Sequence, residues 1–324
     1  MNPTEVLFLG KHPPVLLPAC DHYAGSEKLM RKSVSLQHDL GPVFDITFDC
    51  EDGAAAGNEA AHARLVSEVI ASADNRFNRI GARVHDISSS FFEQDVEIIC
   101  RKAATLAYLM VPKVESLADV STAIDLINHH SQRAGRETLP VHVLIETHGA
   151  LADVAAIAAL PQVESLSFGI MDFVSSHYGA IPGAAMRSPG QFTHALVTRA
   201  KLEISAACHA HGKTPSHNVT TEIHDSAVVA DDAHRARMAF GYTRMWSIHP
   251  QQIRFILGAF SPTESEVSDA THILLAAQKA DWGPIQHLGT LHDRASYRYY
   301  WTVLQRAKNN GVVLPPLANS LFTN

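Results

Sequence analysis

Short runs of β-forming residues alternate with longer helical patterns along this chain, and no other feature narrows the possible architectures as far. Candidate strands cover residues 15–19, 45–50, 79–85, 108–114, 141–147, 163–168, 214–219 and 245–249. Helical patterns fill most of the gaps, over 59–73, 91–104, 116–129, 150–159, 190–209 and 227–239. Strands separated by helices build parallel sheets with right-handed crossovers. An open doubly wound sheet and a closed (β/α)8 barrel both satisfy that rule. The count of eight, and the lack of a GxGxxG turn after the first strand, favour an α/β fold of the TIM-barrel type.

The polar residues support the barrel. Glu51 and Asp52 end the second candidate strand, Arg83 lies in the third, Lys113 in the fourth and Glu146 in the fifth. Asp172 follows the sixth, His217 and Asn218 lie in the seventh, and His249 ends the eighth. A barrel gathers all those carboxyl ends on one rim, where barrel enzymes keep their chemistry. Glu146, at the end of the β-rich run VHVLIE, would be costly inside a wall. At a mouth it has a place.

Composition then removes several function classes. The 324 residues are 46% hydrophobic and 18% charged, enough for a sizeable core. A net charge of -7 with no basic stripe argues against a nucleic-acid partner. No apolar run approaches the roughly 20 residues that span a bilayer. MNPTEVLFLGKHPP lacks a basic n-region and a small-residue cleavage site, so a soluble cytoplasmic protein is expected, with no membrane partner. The four cysteines are widely spaced and form no CxxC pair, and the 20 histidines are scattered without an HExxH.

Beyond the eighth strand, FSPTESEVSDA reads as a helix start, with Ser261 as N-cap, Pro262 at the first position and Glu264 as the capping-box acid. LHDRASYRYYWTVLQRA is a second helical pattern. The expected division is a barrel over 1–260 and a C-terminal helical lid or arm over 261–324.

Glu146 and Asp172 are 26 residues apart, one strand–helix–strand step, which places them on adjacent strand ends. Two close carboxylates repel unless a proton or a cation lies between them. Mg²⁺ suits such a pair, being held by one or two carboxylates with waters and substrate oxygens completing its shell. The other reading of the residues is that one carboxylate pairs with Arg83 or Lys113. Arg83 offers a planar fork for a substrate carboxylate, or else a rim ion pair. Glu51 and Asp52 could orient metal-bound waters, hold Arg83, or be a solvated acidic pair.

Six segments in order carry a resemblance. DITFDCEDGAAAGNEAAHAR, GARVHD, YLMVPKVES, VLIETHGAL, FGIMDF, and WSIHPQQI with FSPTESEV are similar to segments of the citrate lyase β-subunit and malyl-CoA lyase family, within the HpcH/HpaI aldolases. The resemblance implies Mg²⁺ on Glu146 and Asp172, a keto-acid carboxylate on Arg83, and an acidic pair at Glu51 and Asp52. It implies a catalytic aspartate at Asp293, lent to a neighbouring subunit of a homotrimer or higher homo-oligomer. The implied reaction is cleavage of a β-hydroxyacyl thioester, such as malyl-, citramalyl- or citryl-CoA, to an acyl thioester and an α-keto acid. The sequence departs from the family pattern at His85, where relatives carry asparagine, and in PVLLPACDHYAG, which lacks the Pro-Gly turn. Hydrolysis of the thioester, an aldolase for free hydroxy-keto acids, and a non-enzymatic lyase-like scaffold are the alternatives.

Overall fold

A computed structural model of the chain describes residues 3–9, 13–102, 104–136 and 138–322. Eight parallel strands close a barrel in sequence order, the last pairing with the first. They are β1 (Cys20–Ala24), β2 (Asp45–Asp49), β3 (Ile80–Arg83), β4 (Leu106–Val111), β5 (Val141–Ile145), β6 (Val163–Phe168), β7 (Thr214–His217) and β8 (Arg244–Ser247). The first strand lies five residues later than expected. Pro18 has no N–H for a ladder and ends the apolar run before it. CDHYA instead carries its polar side chains into a barrel that provides partners for Asp21.

The helices around the barrel are α2 (Glu27–Leu40), α3 (Glu59–Ile70), α4 (Phe92–Lys102), α5 (Leu117–Arg133), α6 (His148–Ala152), α7 (Val154–Ala159), α8 (Ile170–Ser175), α9 (Ala195–Ala210), α10 (Ser226–Phe240) and α11 (Pro250–Phe260). The pattern over 190–209 resolves into a 3₁₀ turn, Gly190–Phe192, and then α9. The main core, between strands and helices, is aliphatic and aromatic, with Phe44, Ile46, Phe48, Val141, Val143, Leu166 and Phe168 buried in it. The barrel interior is polar. Arg244, Asp21, Asp45, Thr47, Tyr108 and His142 are all buried there.

The chain divides into two compact units. Ala19–Phe260 is one; the described residues up to Pro18 and from Ser261 onward form the other. The described residues up to and including Pro18 thus group with the C-terminal unit, where the expected division put them with the barrel over 1–260. In the second unit α1 (Pro3–Phe8) packs on α13 (Arg294–Asn309), and Trp301 Nε1 donates to Thr4 Oγ1 at 2.9 Å. The unit also holds α12 (Glu264–Lys279), α14 (Pro316–Asn319) and a hairpin of β9 (Ile285–His287) and β10 (Thr290–His292). Its core is built on Leu274, Tyr297, Trp301 and Leu304. The cap of α12 is Thr263 with Glu266, not Ser261 with Glu264. Both pairs fit the S/T-x-x-E spacing, but it is Thr263 Oγ1 that accepts the Glu266 N–H at 3.2 Å while Glu266 Oε2 accepts the Thr263 N–H at 2.7 Å.

Candidate active site

The carboxyl ends of β2 to β6 carry a connected charge cluster. Asp49 ends β2 and Arg83 ends β3, and the two are direct register partners, so both side chains project from the same level. Arg83 donates from Nε to Asp49 Oδ1 at 2.8 Å and from Nη2 to Asp49 Oδ2 at 2.5 Å, while its Nη1 lies 3.0 Å from Glu51 Oε2. Burial opposes the guanidinium charge, yet Asp49 and Glu51 overcome it and raise its pKa above the ordinary value. The ring of Tyr23, on β1, lies 5.6 Å from the guanidinium carbon and stacks on Trp246 of β8 at 4.5 Å.

Lys113 links this group to the next strand. Its Nζ donates to Glu51 Oε1 and, at 2.8 Å, to Asp52 Oδ2. Its backbone N–H donates to Glu146 Oε1 at 2.7 Å. Such a two-sided contact needs an unusual backbone, and Lys113 has φ +49°. Burial works against the ammonium, but Asp52 and Glu51 hold it protonated with a raised pKa. Asp52 is 58% exposed, and Lys113 outweighs its partial burial to keep that carboxyl below its usual range.

Glu146 follows β5 and is 3% exposed. Burial, and after it the charge of Asp172, push its carboxyl up to about 8. Asp172 lies in the first turn of α8, after Gly169. Glycine at 169 is a steric requirement, because a β-carbon there would come within 2.2 Å of Glu146 Oε2. The register explains it: Ile145 pairs with Phe168, so the next residues face each other.

The structure therefore brings Arg83, Glu51, Asp52, Lys113, Glu146 and Asp172 into one cluster. Asp293 lies in the other unit, exposed, where Oδ1 accepts the Ala295 N–H and caps α13. His85 donates from or accepts at Nδ1 2.6 Å from buried Asp95, and its backbone N–H donates to the same carboxylate. Asp49 is the residue that strand-end reasoning missed. The alternation Asp45, Thr47, Asp49 in DITFD could have revealed it, since residues two apart share a face. Lys201 is another. It is fully buried on α9 with Nζ 2.6 Å from His217 Nε2 and 2.8 Å from Gln191 Oε1, and burial drives its pKa well down. A cavity of about 660 Å³ lies between α2, α10 and α11 and is lined by none of the cluster residues.

With all groups ionised, five carboxylates (Asp49, Glu51, Asp52, Glu146, Asp172) face two cations (Arg83, Lys113), a surplus of three negative charges. Burial first, and the neighbouring Asp172 second, oppose ionisation of Glu146, and a cation between the two carboxylates would offset both. Among the described residues no three His, Cys, Asp or Glu side chains are grouped to hold a metal. Two carboxylates with waters and substrate oxygens is a sufficient donor set for Mg²⁺, so the residues fit that ion.

The sequence profile of the HpcH/HpaI aldolase/citrate lyase family matches residues 26–250. The chain belongs to that family. It is 27% identical over 277 residues to the L-malyl-CoA/beta-methylmalyl-CoA lyase of Rhodobacter capsulatus, covering 81% of this chain and 87% of the relative. It is 28% identical over 261 residues to the mitochondrial citramalyl-CoA lyase of Homo sapiens, covering 77% and 72%. A solved citrate lyase from Burkholderia xenovorans LB400 shares 57% identity and superposes with TM-score 0.85, covering 99% of this chain and all of the other. Protein CitE of Mycobacterium tuberculosis, in complex with magnesium, acetoacetate and coenzyme A, shares the fold at TM-score 0.67 and 21% identity, over 90% of this chain and 98% of the other. With relatives named as carbon–carbon lyases, the chain is a lyase of this family. No helix among the described residues is long and apolar enough to cross a membrane.

Proposed function

We propose that this lyase cleaves a β-hydroxyacyl thioester of the malyl-, citramalyl- or citryl-CoA kind, releasing an acyl thioester and an α-keto acid, with Mg²⁺ as cofactor. The observation that carries the reading is Glu146: buried, pushed up to about 8, beside Asp172 and within reach of the Arg83 charge. Glu146 and Asp172 would hold the ion. When bound, it supplies Lewis-acid stabilisation of the oxyanion that develops at the substrate hydroxyl.

The chain's own residues supply the rest. Arg83 binds and orients the carboxylate that becomes part of the keto acid, converting a loosely held substrate into an aligned one. Lys113 holds Glu51 and Asp52 in place through its ammonium and holds Glu146 through its amide, so three of the acids are fixed before substrate arrives. Tyr23 and Trp246 provide an apolar wall beside Arg83 that keeps water from the carbon skeleton. Cleavage moves one proton off the hydroxyl oxygen and returns one to the departing enolate carbon.

Purified protein with Mg²⁺ and malyl-, methylmalyl-, citramalyl- and citryl-thioesters provides the test, with released keto acid as the readout. Keto acid formed with the thioester intact, and abolished by a chelator, supports the reading. Free thiol released without keto acid would replace it with thioester hydrolysis.

A further inference from the structure

Asp49 is 2% exposed and accepts four hydrogen bonds. Two come from one edge of Arg83, at 2.8 and 2.5 Å. The other two come from the backbone that leaves β2: Glu51 N–H to Oδ1 at 3.0 Å and Gly53 N–H to Oδ2 at 2.8 Å. One carboxylate thus ties the guanidinium to the turn that carries Glu51 and Asp52. The turn is built around it, since a β-carbon at Gly53 would come within 2.2 Å of Asp49 Oδ2. A second contact closes the turn, Ala54 N–H to Glu51 O at 2.9 Å. Nε and one Nη2 hydrogen are committed to Asp49 and Nη1 lies 3.0 Å from Glu51 Oε2, which fixes the direction of the guanidinium and leaves one hydrogen on each Nη for an incoming anion.

We propose that Asp49 is a positioning residue of the site: it aims Arg83 and the Glu51–Asp52 turn as one unit, so that the keto-acid carboxylate meets a guanidinium already fixed in direction. The proposal rests on the lyase reading above, but it concerns how Arg83 is held. Removing Asp49 leaves Arg83 charged while freeing its orientation, and recognition of a carboxylate by a guanidinium depends on fixed geometry.

The experiment uses the full chain with Mg²⁺ and reads KM for pyruvate or glyoxylate in the condensation direction with an acyl thioester. Asp49→Asn raises that KM about tenfold or more, Arg83→Lys does the same, and the double variant is no more than about threefold worse than the poorer single, because both changes remove one interaction. Loss of folded protein alone would lower kcat and leave KM unmoved. Mg²⁺ affinity measured by calorimetry stays within about twofold, since Asp49 is not among the ion's proposed holders. Fully additive KM effects, or an unchanged KM in Asp49→Asn, overturn the proposal. Should Asp49→Asn not fold, Gly53→Ala displaces the same carboxylate without removing it and raises KM in the same direction; an unchanged KM there also overturns it. A crystal structure of Asp49→Asn, or of Gly53→Ala in its place, separates this from the lyase reading: Arg83 found in its original orientation defeats the positioning role whatever the substrate is.

Discussion

Two buried arginines, each gripped by carboxylates, sit at different heights in the same barrel. Arg83 is at the rim with Asp49 and Glu51. Arg244, on β8, lies deeper, with Asp45 at 2.5 Å and Asp21 at 3.2 Å. Asp45 precedes Asp49 by four residues on β2, so the two clusters are about 13 Å apart along the strand. The deeper group is balanced in charge, and its Arg244, Asp21 and Asp45 are fully buried. Arg79 and Arg244 face Asp21 and Asp45, and Thr47 and Tyr108 complete Asp21 with hydrogen bonds at 2.8 and 3.1 Å. The rim group, with all its members ionised, carries three excess negative charges and is open at Asp52 and Lys113. A buried arginine between aspartates is therefore no functional signal by itself. Surplus charge at an opening is.

The comparison breaks most visibly at Glu146. Glu146→Gln should leave the protein folded and lower Mg²⁺-dependent kcat/KM by about 10³, roughly 4 kcal/mol; steady-state kinetics beside a thermal melt measures both. Arg244→Met should do the reverse. It leaves buried Asp21 and Asp45 with less compensation and costs about 3–5 kcal/mol of stability by urea titration, while kcat of the folded fraction stays within a few-fold. Folded but inactive Arg244→Met would erase the distinction between the clusters.

A smaller effect follows from pH. The Glu146 carboxyl is raised from 4.5 to about 8, so without metal the folded state is favoured where that group is protonated and loses stability as pH rises from about 4.5 through 8. Mg²⁺ needs the ionised form, and its affinity should climb about tenfold per pH unit up to about 8. The rise in Tm on adding Mg²⁺ should therefore be larger at pH 8.5 than at pH 6, and equal rises would show that Glu146 does not hold the ion. The smallest effect separates the two functions of Lys113. Lys113→Gly and Lys113→Ala both remove the ammonium, but only alanine bears the cost of a positive φ, about 1 kcal/mol. A denaturation midpoint lower for alanine than for glycine confirms it.

Much of this was readable in the sequence. The eightfold alternation gave the barrel because burial on both faces leaves parallel strands as compact β-forming runs between amphipathic helices. Arg83, Glu146 and Asp172 were visible because strand-end charges in a barrel have one place to converge. Asp49 was not visible, because a carboxylate within a strand becomes intelligible only when its neighbour supplies Arg83 in register. Lys201 and His217, distant in sequence terms from any motif, meet only through the packing of α9 on β7. The hairpin of β9 and β10 escaped notice because its strands are three residues each, too short for a period to show.

Gly169 has a practical consequence. Adding a single methyl there would crowd Glu146 out of its berth while leaving every ionisable group of the chain in place. Gly169→Ala would thus make an inert form with its full complement of charges, suited to capturing an uncleaved thioester in a crystal.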